Sequence, residues 1–275
     1  MSHDQLHEWI ELRGELERMV LEDALLKHSV AQFLSQDRFD GALSILIADQ
    51  LASERIGAVQ FLPVIENAYR NCPEIIRFAM SDLTSIRRRD PAVDCLSVAF
   101  LFSKGFHALE AYRVAHYYWT SGRQGVALTL SHACSCSLGV DIHPAAKIGM
   151  SVMLDHASGI VIGETSEIGH EVTLLHGATL GGNGQLRCDR HPKVGSGSFI
   201  GAHASVIGNV RIGKDSVIGA GAVVLSDVPE NSVAVGIPAK AKTRKRKSDS
   251  GFEPVHAVAG ITGSPVLLGG FSELQ

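Results

Sequence analysis

The stretch Val194-Gly-Ser-Gly-Ser-Phe-Ile200-Gly-Ala-His-Ala-Ser-Val206-Ile-Gly-Asn-Val-Arg-Ile212-Gly-Lys-Asp-Ser-Val-Ile218-Gly-Ala-Gly-Ala-Val-Val224 decides the fold of this chain. A branched apolar residue returns at every sixth position, usually beside glycine or another small residue. Six is the period of neither an amphipathic helix nor an alternating strand, and internal repetition is read before either. Upstream, Ile162, Ile168, Leu174 and Leu180 keep the same spacing. Ile142, Ile148 and Leu154 precede them, with a slip of two residues between Leu154 and Ile162. One hexad cannot bury its own side chain, so stacked turns must share an inner core while their backbones pair along the coil axis. The expected object is a prism of short parallel strands with three faces and about 18 residues per coil. Glycine after the apolar residue, as in Ile212-Gly213 and Ile218-Gly219, suits corners where a side chain would collide. Val235-Gly236-Ile237-Pro238-Ala239-Lys240 is expected to end the last coil, since Pro238 cannot donate to a further ladder. Between Gly181 and Pro192 the beat fails, so a loop leaves the prism there.

Upstream of the repeats the texture is helical. From Leu6 to about Leu130 apolar residues recur at three and four, as in Leu12, Leu16, Met19 and Leu43, Ile47, Leu51, which predicts six to eight helices punctuated by Pro63, Pro73 and Pro91. Aromatic residues concentrate in this half, where packing between helices accounts for them. The expected organisation is a helical segment 1–138, a coil 139–242 and a flexible tail 243–275.

With 45% apolar residues, 20% charged residues and a net charge of -4, the 275-residue chain has the composition of a globular protein, with nothing pointing to nucleic acid or an anionic membrane. It has no apolar run of membrane-spanning length. Asp4, Glu8, Glu11, Glu15 and Glu17 replace a signal-peptide core, so a cytoplasmic location is expected. Cys72, Cys95, Cys134, Cys136 and Cys188 are odd in number and scattered, which reads as reduced thiols without a zinc site.

Two groups stand out as chemistry. His156, in Leu154-Asp-His-Ala, sits among small neighbours at a corner of the prism, and Asp141 precedes it by nearly one coil. An aspartate holding one imidazole nitrogen makes the other a better base, although a structural role for such a pair is about as common. In the loop, Arg190-His191 offers a planar two-point donor for a carboxylate. Asp90 and Asp155 could accept from an ammonium group, and Asp90-Pro91 could equally cap a helix.

Five strings carry a resemblance: Asp90-Pro-Ala-Val-Asp94, Lys104-Gly-Phe-His-Ala-Leu-Glu-Ala-Tyr-Arg113, Val140-Asp-Ile-His-Pro-Ala-Ala-Lys-Ile-Gly149, Leu154-Asp-His-Ala-Ser-Gly-Ile160 and Asp189-Arg-His-Pro192. Over residues 5–242 the chain resembles the serine acetyltransferases of bacterial cysteine synthesis. Sugar and antibiotic acetyltransferases share only the hexapeptide coil. The resemblance implies an α+β chain, with an α-helical oligomerisation domain followed by a left-handed parallel β-helix. It implies acetyl transfer from acetyl-CoA, a co-substrate, to the hydroxyl of L-serine, without metal. It puts the general base on His156 and its orienting acid on Asp141. The serine amine would meet Asp90 and Asp155, and its carboxylate Arg190 and His191. A groove beside Gly182, Gly184, Ala202 and Ala220 would take CoA, with Lys240 near a phosphate. Sites between neighbouring subunits are implied, in a homotrimer or a dimer of trimers, with L-cysteine as feedback inhibitor. In the family the tail engages O-acetylserine sulfhydrylase through a terminal isoleucine, whereas this chain ends in Gln275, which puts that contact in doubt. The basic run Lys242, Arg244, Lys245, Arg246 and Lys247 is either solvated or an attractor for CoA phosphates. The rivals are another hydroxyl acceptor on the same coil, a γ-type carbonic anhydrase using His143, His156 and His176, and a non-catalytic scaffold.

Overall fold

The computed structural model describes residues 3–184 and 188–244. Lys245, Arg246, Lys247 and the terminal Gln275, on which the tail expectations rest, lie outside the described residues. Eight helices are described: α1 His3–Glu22, α2 Ala24–Leu34, α3 Phe39–Leu51, α4 Ala58–Asn71, α5 Glu74–Arg89, α6 Leu96–Phe102, α7 Lys104–Thr120 and α8 Gln124–Leu138. Their local causes are readable. The Asp23 carboxylate accepts from the Leu25 amide and starts α2, and Gly139, at φ 66°, ends α8 in the left-handed conformation that favours glycine. Pro73 precedes the first turn of α5, and Pro91 lies in the turn after it. Pro63 is different, because it lies inside α4 and ends nothing. Burial of Phe61, Ile65, Ala68 and Tyr69 along one face carries α4 past the missing N–H. No helix among the described residues is long and apolar enough to cross a membrane.

Among the described residues fifteen strands of two to five residues follow: β1 Asp141–Ile142, β2 Lys147–Ile148, β3 Met153–Asp155, β4 Val161–Ile162, β5 Glu167–Ile168, β6 Thr173–Leu175, β7 Thr179–Gly181, β8 Lys193–Val194, β9 Phe199–Ile200, β10 Ser205–Ile207, β11 Arg211–Ile212, β12 Val217–Ile218, β13 Val223–Val224, β14 Ser232–Gly236 and β15 Ala239–Thr243. They form three faces of a parallel β-helix. The first runs β1-β4-β7-β10-β13, the second β2-β5-β8-β11 and the third β3-β6-β9-β12-β14-β15. Every residue of the six-residue series, from Ile142 to Val224, is buried on the inside. Such burial is worth about 1.5–3 kcal/mol per side chain and is shared between successive coils. Corners are too tight for a β-carbon; one added at Gly195 would lie 2.6 Å from the Lys214 nitrogen. The last coil is closed by β15, which turns back antiparallel on β14 through Gly236–Ala239. The Pro238 segment therefore makes a hairpin turn.

The coil departs from 18 residues at two insertions and again in its last turn, where Ile218 pairs with Ala234, 16 on. Ile142 pairs with Ile162, 20 residues on, because two extra residues enter at the corner after β3. Leu180 pairs with Val206, 26 on, where Ile162 pairs with Leu180, 18 on, so the loop after β7 adds eight. Neither insertion disturbs the inner stack, because both fall at corners.

Helices and coil meet in a buried polar seam. The Asp82 carboxylate accepts from Arg113 Nε at 2.9 Å and from the Val152 amide at 2.8 Å, and Arg113 Nη2 donates to the Gly149 carbonyl at 2.8 Å. Glu110 lies 3.6 Å from the same guanidinium. Burial raises the Glu110 pKa well above the usual carboxylate range and that of Asp82 as well, with the Arg113 charge opposing both shifts. Beside it α7 touches β3. A β-carbon on Gly105 would stand 1.8 Å from the Leu154 carbonyl oxygen, so only glycine permits the approach. Gly105→Ala should lower stability by about 1–3 kcal/mol. Gly125→Ala, on α8 with nothing within 4 Å, should stabilise by up to ~1 kcal/mol. Thermal unfolding of both variants checks the contrast.

Candidate active site

The two-residue insertion after β3 builds the first half of the site. His156 and Ala157 take left-handed φ values of 54° and 58°, and Gly159 follows at 75°. Ordinary residues adopt this conformation only where the surroundings impose it. Here the Gly159 amide donates to the Gly139 carbonyl and the Gly177 amide to the Ser158 carbonyl, both at 2.8 Å, while Lys104 Nζ donates to Ser158 Oγ. The bulge so pinned thrusts the His156 ring out, leaving its side chain 78% exposed, with Nε2 3.9 Å from Asp155 Oδ1. Asp90, Phe102, Lys104, Asp155, His156 and Ser158 share a cleft of about 390 Å³ between the end of α5, the start of α7 and β3. Asp90 is the C-cap of α5, and its Oδ1 accepts from the Ala92 amide at 2.9 Å. The helix-cap alternative is thus realised at the C-terminus of a helix, with the carboxylate still on the cleft.

Asp141 projects outward from β1, on the first face. Among the described residues no hydrogen bond joins it to His156. Above His156, His176 stands edge-on at 5.9 Å and His203 edge-on to His176 at 5.0 Å, so three imidazoles climb the same corner.

The second half occupies the other end of the first face. The Thr165 hydroxyl accepts from the amides of Arg190 and His191 at 3.0 and 3.1 Å. The Thr165 amide donates to His191 Nδ1 at 3.2 Å. A backbone amide can only donate, so Nδ1 is unprotonated and the ring proton sits on Nε2. Burial, then the neighbouring Arg190 charge, lowers the His191 pKa below the ordinary histidine value, consistent with a neutral ring. Arg190 Nη2 donates to Glu164 at 2.7 Å, which lowers the Glu164 pKa. His143 lies at this corner too, its ring 5.0 Å from Trp119 and its pKa lowered by burial. It stands apart from His156 and His176, and no cluster of three or more His, Cys, Asp or Glu able to hold a metal occurs among the described residues.

The predicted residues therefore divide. Asp90, Asp155 and His156 are brought together, and Arg190 and His191 lie a full face away, where roughly six residues at ~3.3 Å each separate the corners. The expected CoA residues divide likewise. Ala202 and Ala220 stack on the His156 corner, Gly182 lies by Arg190 while Gly184 faces open space, and Lys240 is on β15. Sequence reasoning missed Glu164, Thr165, Lys104 and Ser158. The signal for the first two was the insertion length, since removing eight residues puts Arg190 and His191 one coil above them. Of the cysteines, Cys134 is buried and its thiol, by burial and the Asp141 charge, is pushed up to about 12, which makes it a poor nucleophile.

A hexapeptide β-helix with an exposed corner imidazole, joined to a helical N-terminal half, defines a hexapeptide-repeat acyltransferase. Two family models match: the N-terminal domain of serine acetyltransferase over residues 9–111 and the bacterial transferase hexapeptide, six repeats, over 191–226. A serine acetyltransferase of Haemophilus influenzae is 43% identical over 92% of this chain and 95% of its own. A serine acetyltransferase solved in complex with CoA superposes with a TM-score of 0.83 at 44% identity, over 86% of this chain and 100% of that one. One in complex with cysteine gives 0.85 at 43%, over 88% and 95%. The chain belongs to the serine acetyltransferase family, and its activity is transfer of the acetyl group of acetyl-CoA to the hydroxyl of L-serine.

Thr165→Val removes the acceptor of two loop amides. Hydrogen exchange at Arg190 and His191 should then accelerate by about tenfold, corresponding to one lost hydrogen bond of roughly 1–1.5 kcal/mol.

Proposed function

We propose that His156 is the general base of this acetyl transfer and that the complete site forms between two subunits. The observation that carries the proposal is the division of the candidate residues between the two ends of one face. If the first faces of three chains line a threefold axis, the His156 corner of each chain meets the Arg190 corner of the next. Serine then lies between subunits. Its ammonium group sits against Asp90 and Asp155 of one chain, and its carboxylate reaches Arg190 Nη and His191 Nε2–H of the neighbour. The helical segment 1–138 serves as the oligomerisation domain, pairing trimers.

The steps follow from these positions. His156 takes the serine hydroxyl proton as the oxygen attacks the thioester carbonyl, forming the C–O bond and a tetrahedral oxyanion that backbone amides stabilise. Collapse breaks the C–S bond, and the His156 imidazolium returns the proton to the CoA thiolate. Asp141, on the strand beside the His156 corner, holds the imidazolium once the ring turns toward the first face. Transfer is direct, in a ternary complex. The CoA arm runs along Ala202 and Ala220 of one chain and Gly182 and Gly184 of the next, with Lys240 at a phosphate. L-Cysteine carries serine's ammonium and carboxylate groups and competes for the same contacts, which accounts for feedback inhibition. A different hydroxyl acceptor would not account for the whole-length likeness to serine acetyltransferases.

Two measurements test this. Serine-dependent thiol release from acetyl-CoA should fall by about a hundredfold or more in His156→Ala; near-normal turnover would remove His156 as base. Arg190→Ala should be inactive as well. Refolding the two inactive chains together at equal amounts should restore roughly a quarter of the wild-type rate, because each mixed trimer contains one intact interface. No recovery would mean that each site lies within one chain.

A further inference from the structure

We infer that Arg89 is a positioning residue for recognition of the acceptor's ammonium group, locking the end of α5 onto two successive coils so that the Asp90 carboxylate is fixed opposite Asp155 and His156. This inference rests on the reading of Asp90 as an ammonium contact. One face of α5 carries Ser81, Ser85 and Arg89 at intervals of four, so all three point the same way. They meet the turn at Ser151, itself held at φ 59°. Ser81 Oγ lies 2.7 Å from Ser151 Oγ, and Ser85 Oγ donates to the Ser151 carbonyl at 3.2 Å. Arg89 finishes the row with a fork. Its Nη2 donates to Ser85 Oγ at 2.6 Å and to the Ser151 carbonyl, on the first coil. Its Nη1 donates to the Glu171 carbonyl at 2.9 Å and to Thr173 Oγ1 at 3.0 Å, on the second.

A lysine ammonium could not span the two coils with two parallel donor pairs, whereas a planar guanidinium does so in one orientation. Arg89 is largely buried, and burial, then the adjacent Arg88 charge, lowers its pKa to about 10, so it remains a cation at neutral pH. The next residue is Asp90. Its amide donates to the Ile86 carbonyl at 2.8 Å and its carboxylate is tied to Ala92, so its side chain has little freedom of its own. Where that carboxylate stands over the cleft is therefore set by where α5 ends, and Arg89 sets that relative to β3 and β6. Arg89 does not line the cleft, which makes its influence indirect.

The test is a cycle of Arg89→Lys, Asp90→Asn and the double variant, assayed by thiol release with each substrate varied. Arg89→Lys should raise the serine KM by about tenfold or more and weaken cysteine inhibition in parallel, leaving the acetyl-CoA KM within about twofold. In the Asp90→Asn background the same change should add less than about twofold, because the group it positions is gone. An unchanged serine KM in Arg89→Lys, or full additivity of the two changes, overturns the inference. An unchanged serine KM in Asp90→Asn instead overturns the reading of Asp90. If Arg89→Lys does not fold, Thr173→Val, which removes one Nη1 acceptor, replaces it; the serine KM should rise selectively and less steeply, and no selective rise overturns the inference.

Discussion

The buried Asp82 carboxylate joins the two halves of this molecule. It draws its hydrogen bonds from a guanidinium on α7 and from the amide of Val152, which leads into β3. Breaking a buried pair by removing one partner typically costs about 3–5 kcal/mol, since the other charge is left without compensation. The placement of both helical elements that line the His156 cleft follows from this seam. α5 ends at Asp90 and α7 begins at Lys104, and both reach the His156 bulge only because the helices are held in register with the first coil. Gly105 sets the distance and the seam sets the orientation.

The repeat arithmetic made the prism legible. A sixfold apolar period fixes three faces, and all thirteen of its residues are found inside. The helical half was legible in kind but not in detail. Pro63 looked like punctuation because proline removes a local hydrogen bond, while the burial that carries α4 through it is tertiary and invisible in local sequence. The closing hairpin was missed for a similar reason. Pro238 does stop the parallel ladder, but whether the chain then departs or doubles back depends on pairing with β14.

The site was legible as a set of residues and not as an arrangement. His156, Asp155 and Asp90 converge, and the period placed His156 at a corner, but the seam that brings Asp90 to it joins residues 70 positions apart in sequence. Arg190 and His191 could be singled out by the broken beat, whereas their supports Glu164 and Thr165 sit inside an unbroken hexad and look like ordinary corner residues. Asp141 stands out in the sequence by its distance along the chain from His156. The structure puts it on the outward side of β1, its amide donating to the Ile160 carbonyl, with no hydrogen bond to His156 among the described residues.

The two insertions show what a solenoid of this kind can vary without penalty. Two extra residues push an imidazole into solvent and eight more bring an arginine back onto Glu164 and Thr165, yet the strands beyond each resume their stacking as though nothing had intervened. A corner is thus a port in an otherwise rigid cylinder, and the length of chain spent there is decoupled from the energy that holds the cylinder together. New chemistry can be grafted port by port while the barrel stays the same, so what distinguishes one such catalyst from another is a short list of corner lengths and the few side chains they carry.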